Sequence, residues 1–297
     1  VTDPLSRVIE KTFRLWQRLG LTIRPNHYYE PIPDLASLPP SVWARRSELV
    51  GIELRAEAQL ALLDEMATRW RREYEAFSRL RTPIEHEFFL DNGAFESVDA
   101  EVLYSMIRTF KPRRIIEIGS GHSTRLAAQA MERNRHEDGV EGELTAIEPY
   151  PSATLRAGFP GLTRCLAVPV QQVPRDTFDA LGENDILFID SSHVLKIGGD
   201  VQYEYLEVLP RLRPGVLIHI HDIFLPMEYP KGWVLDAHRF WTEQYLLQAF
   251  LAFNSKFEIV WCGSYMSLDH TEALARAIPS YRPGLTAPGS IWLRRVA

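Results

Sequence analysis

The sequence predicts an α/β protein: a doubly wound, seven-stranded, mostly parallel sheet preceded by an N-terminal helical extension. Three observations predict it. From residue 98 onward, short apolar runs alternate with helical stretches. Those runs are apolar at successive positions, as strands covered by helices on both faces must be. One of them ends in a glycine turn that opens into a helix, the junction at which doubly wound sheets bind ligands.

Residues 1–85, read as a helical extension and lid, contain no strand pattern. Leu5, Val8, Ile9, Phe13 and Trp16 recur at spacings of three and four, the apolar face of an amphipathic helix. Ile52, Ala56, Leu60, Leu63, Met66, Trp70, Tyr74 and Phe77 repeat that spacing for about seven turns. Between them, three prolines within Pro25–Asp34 forbid a regular helix and favour extended chain. Residues 86–297 form the second domain. There Val98–Phe110 reads as a helix ended by Lys111-Pro112. Strands are expected near 114–118, 144–148, 164–168, 185–189, 215–221, 257–262 and 290–295, with helices at 123–133 and 200–209. Crossovers should be right-handed. The last two strands could pair antiparallel at the sheet edge, and the charged stretch Glu132–Glu143 reads as an extended surface loop.

Composition bounds the partners. Lys and Arg total 33 against 39 Asp and Glu, a net charge of −6, which argues against a nucleic-acid surface. The only cysteines, Cys165 and Cys262, have neither metal-ligand nor disulfide spacing, and each sits in an apolar run as a small hydrophobe. No apolar stretch approaches the roughly 20 residues that span a bilayer, and Val1–Pro4 lacks the start of a signal peptide. A cytoplasmic protein acting on a small-molecule substrate, without membrane or nucleic acid, is expected. The long N-terminal helices offer a surface for pairing in a homo-oligomer.

The segment Arg114–Thr124 carries the first chemical information. Its strand of aliphatics runs into Gly119-Ser120-Gly121, and a helix begins at Ser123 or Thr124. Glycines admit a ligand close to the backbone, and the helix start offers unpaired N–H groups. A dinucleotide fingerprint wants a third glycine where Thr124 stands. Glu117 would repel a diphosphate but attract a sulfonium or an ammonium group. The second strand ends in Glu148, 29 residues after Gly119, an acid able to accept hydrogen bonds from both ribose hydroxyls.

The order Glu117–Gly119-x-Gly121, then Glu148, then Asp190 resembles the class I S-adenosylmethionine-dependent methyltransferases. Pro112–Thr124 is similar to a bacterial small-molecule methyltransferase subgroup, and the likeness covers roughly residues 90–297. The resemblance implies a Rossmann-like methyltransferase fold with S-adenosyl-L-methionine as cofactor. It implies Gly119 and Gly121 at the methionine part, Glu148 at the ribose and the 169–173 loop at the adenine. Glu117, Ser123, Asp190 and Ser191 complete the expected cofactor set. Val170-Gln171-Gln172-Val173 lacks the acid often found beside the adenine.

The fourth strand delivers Asp190, Ser191, Ser192 and His193 to the sheet edge, and the fifth delivers His219, His221 and Asp222. Two chemistries stay open. His193 or His221 could act as base with Asp222 or another carboxylate orienting it, or Asp190, His221 and Asp222 could hold a divalent metal. His219, deeper in its strand, reads as a buried structural residue. Tyr28, Tyr29 and Tyr229 could close over the site by cation–π contact, or simply pin loops. Rival functions are a nicotinamide oxidoreductase, internal displacement on S-adenosylmethionine and non-catalytic cofactor binding.

Overall fold

The computed structural model describes residues 4–296. Most of the segment on which the leader expectation rests, Val1–Asp3, lies outside the described residues. The strands are β1 (Arg114–Ile118), β2 (Glu143–Ile147), β3 (Arg164–Leu166), β4 (Ile186–Ile189), β5 (Leu217–Ile220), β6 (Phe257–Cys262) and β7 (Ile291–Arg295). They form one seven-stranded sheet in the order β3-β2-β1-β4-β5-β7-β6. The pairs among β1 to β5 are parallel, while β7 runs antiparallel between β5 and β6. This is the doubly wound, mostly parallel sheet that the apolar runs predict. Every position of β4 and β5 is buried, which is why those segments carry no polar alternation.

The helices are α1 (Pro4–Arg18), α2 (Ala56–Tyr74), α3 (Asp99–Phe110), α4 (His122–Asp138), α5 (Ala153–Ala157), α6 (Arg175–Asp179), α7 (Asp200–Tyr203), α8 (Lys231–Leu235), α9 (Glu243–Leu251), α10 (Gly263–Asp269) and α11 (Thr271–Ala277). α7 continues into a π-helical turn, Glu204–Val208. Among the described residues no helix is long and apolar enough to cross a membrane. Cys165 is half-buried in β3 and Cys262 is buried in β6, both as free thiols.

Two local expectations are corrected. The charged stretch from Glu132 is helical to Asp138 rather than an extended loop, and Gly139 ends α4 with a φ of +67°. Its charges are spaced to pair along a helix: Arg135 with Glu132 (2.6 Å) and Arg133 with Glu137 (2.8 Å). Buried Arg108 of α3 adds bonds to Asn134 (2.6 Å), Glu137 (2.5 Å) and Asp138 (3.1 Å). The apolar series from Ile52 to Phe77 is helical only over the 19 residues of α2, about five turns. Arg55, in the left-handed region at a φ of 55°, breaks the periodicity before Ala56.

The chain forms two compact units, which part at Arg45/Arg46. The larger contains residues 46–229 and 241–297, so α2 belongs with the sheet, packed on α3. Leu63, Met66, Trp70 and Tyr74 are its buried face. The smaller contains residues 1–45 and 230–240. Within it the proline-containing connector is irregular, as its composition requires, and Arg24 pairs with Glu30 (2.5 Å).

Candidate functional site

The carboxyl ends of β2, β1, β4 and β5 lie side by side and deliver most of the expected residues to one edge. Gly119 has a φ of +78°, and a Cβ there would overlap the Asp190 carbonyl, 2.7 Å from its carbon. The two strand ends are also tied: Gly119 N–H donates to Ile147 O (2.9 Å) and Asp190 N–H to Ile118 O (2.8 Å). Gly121 is different. Its φ is −175°, in extended backbone, and no atom lies within 4 Å of where its Cβ would stand. The Gly121 N–H donates to Thr124 Oγ1 (2.9 Å), so Thr124, in the third-glycine position, caps the start of α4.

Glu117 is buried under this turn. Ser123 Oγ donates to its Oε1 (2.6 Å), while Oε2 has no partner among the described residues. Burial pushes the Glu117 carboxyl up to about 8, against the lowering effect of the Ser123 and Thr124 hydroxyls. A carboxyl raised above its ordinary value of 4.5 subtracts stability as pH rises from there through about 8. Glu117→Gln is therefore expected to be more stable than the wild type by a few kcal/mol at pH 8, but not at pH 4. Denaturant titrations across that range check the sign. A pH-independent difference would contradict the buried-acid assignment.

A cleft of about 390 Å³ opens beside the turn, lined by Gly119, Glu148, Val170, Gln171, Asp190 and Ser191, among others. Glu148 accepts the Tyr150 N–H (2.8 Å), and Gln171 donates to Gly198 O (3.1 Å) across the cleft wall. A hollow of similar size, about 410 Å³, sits at the amino end of β6, away from these strand ends. Its Arg55 and Glu258 are spent on each other (2.6 Å).

At the far side of the 390 Å³ cleft is a chain of alternating acids and imidazoles. His193 Nε2 stands 3.2 Å from Asp190 and 3.5 Å from Asp222. His221 Nδ1 stands 3.4 Å from Asp190 and 3.6 Å from Asp222, with Asp99 at 3.7 Å from its Nε2. Burial opposes charge on His193, but Asp190 and Glu243 outweigh it and raise the imidazole to about 10. His221 is likewise raised, burial being outweighed by Asp222 and Asp190. Burial would raise Asp190, yet the two imidazolium charges hold it well below the usual carboxylate range. Asp222 is raised by burial in spite of those charges. His193 and Asp222 both occupy left-handed backbone, at φ of 59° and 56°, strain that recurs at functional sites.

Among the described residues, the His, Cys, Asp and Glu groups whose ligand atoms gather within 4.8 Å of one another are Asp190, His193 and Asp222. His193 thus stands where the sequence suggested His221. His219 stacks on Phe188 with ring centroids 3.9 Å apart, and both its nitrogens are buried without partners among the described residues. Burial and the charge of His221 push it well below its ordinary value. Ser123 is committed to Glu117. Tyr229 is 2% exposed, and its hydroxyl accepts the Gln244 N–H (3.0 Å), a pinned position within the larger unit. Tyr28 and Tyr29, in the smaller unit, are 90% and 84% exposed.

Sequence reasoning missed the carboxylates behind the site. Glu204 accepts from Ser191 (3.0 Å), Asp200 from the Ser192 N–H (3.0 Å) and hydroxyl (2.5 Å), and Glu243 from His193 Nδ1 (2.8 Å). Asp200, opening a helix eight residues after Ser192, has a local signal as a helix-start acid. Glu243, 50 residues from His193, has none.

The sequence family described as "Methyltransferase domain" matches residues 116–223, the span from β1 to just past β5. An uncharacterized protein of Archaeoglobus fulgidus is 33% identical over 181 residues, covering 57% of this chain and 78% of that one. Among solved structures, the CmcI-N160 apo-structure is similar at 15% identity and a TM-score of 0.38, covering 76% of this chain and 84% of that one. An O-methyltransferase from Bacillus cereus, solved in complex with SAH, is similar at 15% identity and a TM-score of 0.35, covering 79% and 90%. The family match spans the same strands, glycine turn and strand-end acids that carry the cleft, and the archaeal relative shares the sequence at family level. The chain belongs to the class I S-adenosylmethionine-dependent methyltransferases.

Proposed function

We propose that this enzyme transfers the methyl group of S-adenosylmethionine to an oxygen of a small-molecule acceptor by in-line displacement. The observation that carries the reading is the continuity of the Gly119–Glu148–Asp190 cleft with the acid–imidazole chain at Asp190. When bound, S-adenosylmethionine supplies an electrophilic methyl on a sulfonium. The open space at Gly121 and the unpartnered Glu117 Oε2 fit a polar, hydrogen-bonding ligand at the turn. Gly119 and Gly121 admit the methionine part, with Ser123 holding Glu117 in place. Glu148 accepts the ribose hydroxyls, and Val170 and Gln171 flank the adenine. Asp190 and Ser191 line the centre.

A hydroxyl acceptor must lose a proton as it attacks. His193 and His221, held between carboxylates, keep their protons at neutral pH and serve best as fixed positive charges that orient Asp190 and Asp222. Asp222, raised by burial, is the group suited to take the proton. Tyr28 and Tyr29 are assigned to the lid, together with the rest of the N-terminal segment. An intracellular location, a homo-oligomer and the domain division near residue 85 belong to the same reading.

Calorimetry with S-adenosylhomocysteine and with NADH tests the cofactor, and mass spectrometry of turnover separates methyl transfer from internal displacement. S-adenosylhomocysteine should bind and NADH should not. Glu148→Ala should weaken that binding by about tenfold, the loss of one to two ribose hydrogen bonds. Binding of NADH in preference would sink the reading.

A second reading has a divalent metal on Asp190, His193 and Asp222, favoured by their approach within 4.8 Å and by the Glu243 bond to the far nitrogen of His193. One imidazole and two carboxylates suit a transition metal more than magnesium. There the metal would lower the acceptor hydroxyl's pKa. Turnover unaffected by a strong chelator would exclude it.

A further inference from the structure

We infer that Glu243 is a positioning residue for the reaction site, holding His193 so that Nε2 of its imidazole faces Asp190 and Asp222. The inference rests on the reading above that places the methyl-transfer chemistry at this cleft. Its basis is the juxtaposition of a fully buried carboxylate with the imidazole nitrogen that points away from the cleft.

His193 lies just beyond β4 with a φ of 59°, a conformation that a residue with a Cβ adopts only when its surroundings impose it. The start of α9 imposes it. The N–H groups of Thr242 and Glu243 both donate to His193 O (2.9 and 3.1 Å), and Thr242 Oγ1 accepts the Leu195 N–H (2.8 Å). Glu243 then adds a bond to the side chain from behind, its Oε2 lying 2.8 Å from Nδ1. The Trp241 ring, with its centroid 4.3 Å from that of the imidazole, packs alongside. With Nδ1 committed behind and the ring walled, Nε2 is the nitrogen left to meet Asp190 at 3.2 Å and Asp222 at 3.5 Å.

The residue type sharpens the point. Glu243 is 0% exposed, and its Oε1 has no partner among the described residues. A carboxylate in that position carries a large desolvation cost, and a glutamine or leucine would fill much the same volume without it. The Tyr205 hydroxyl also lies against this carboxylate, but the carboxylate's close bond, at 2.8 Å, is to the His193 imidazole, so the buried charge acts on the orientation of that ring. The carboxylate–imidazole pair has the form by which outer-shell acids orient functional histidines.

Proton–nitrogen NMR correlation of the imidazoles in the full-length chain tests this. In the wild type, His193, identified by the signals that H193N removes, is expected to carry a proton on Nδ1 that is downfield and protected from exchange. E243Q is expected to lose that protection and to shift the Nε2 resonance, while affinity for S-adenosylhomocysteine stays within about twofold. A protected Nδ1 proton that persists unchanged in folded E243Q overturns the proposal, as does its absence from the wild type. Should E243Q fail to fold, E243D decides: its shorter carboxylate should speed exchange of the Nδ1 proton, and unchanged exchange overturns the proposal. Addition of S-adenosylhomocysteine to the wild type reports separately on the cleft. If it leaves His193 Nε2 unmoved while Nδ1 stays protected, the cofactor-site reading fails and the positioning role stands.

Discussion

Gly119→Ala is expected to destabilise the protein by about 3 kcal/mol or more and to abolish binding of S-adenosylhomocysteine. Two costs combine. A φ of +78° is strained for any residue with a Cβ, and that Cβ would overlap the backbone carbonyl of Asp190. The obstacle is backbone rather than the end of a flexible side chain, so relief requires parting β1 from β4 where Asp190 N–H donates to Ile118 O. Such a shift moves Asp190, the shared partner of both imidazoles. Gly121→Ala is the matched comparison, because its Cβ would enter open space at a φ of −175°. That variant should melt near the wild-type temperature and lose cofactor affinity only. Thermal melts and calorimetry on the two variants check both halves. A stable Gly119→Ala with intact binding would refute the packing argument.

Asp190→Asn is expected to slow methyl transfer by about 10²–10⁴-fold while the fold survives. Asparagine keeps the shape but removes the charge that His193 and His221 share at 3.2 and 3.4 Å. It also puts a neutral amide where two N–H donors meet. The pH dependence of stability gives a second readout. His193, raised to about 10 from its ordinary 6.5, contributes stability that is full below 6.5 and lost as pH rises through about 10. Asp190→Asn lowers that folded-state value, so its destabilisation should be larger at pH 6 than at pH 10. Turnover is read from release of S-adenosylhomocysteine, and stability from denaturant titration at the two pH values. Wild-type turnover in the variant would remove Asp190 from the reacting centre.

The sheet was legible because each strand announces itself locally. Ile186–Ile189 is a continuous apolar run and Leu217–Ile220 is interrupted only by His219, and burial on both faces of a parallel sheet is the reason. The helix at 132–138 is not legible because its charges look solvated whether the chain is extended or helical. Only the pairing of Arg133 with Glu137 and the reach of Arg108 across from α3 distinguish the two. What α2 packs against is not legible for a related reason. The periodicity of α2 says that one face is buried, but not against what, and its partner is α3 in the larger unit.

By itself the sequence determined the order of the strands, the glycine turn, and which acids and imidazoles end up at strand carboxyl ends. These depend on period, composition and spacing, which are local properties of a chain. Tertiary structure decided which of those groups face one another. It committed Ser123 to Glu117, set the ligand atoms of His193, Asp190 and Asp222 within 4.8 Å of one another, and buried Tyr229. It also brought Glu243 to His193 across 50 residues of sequence. Such pairings follow from sheet order and from where α9 docks, and no local pattern carries that information.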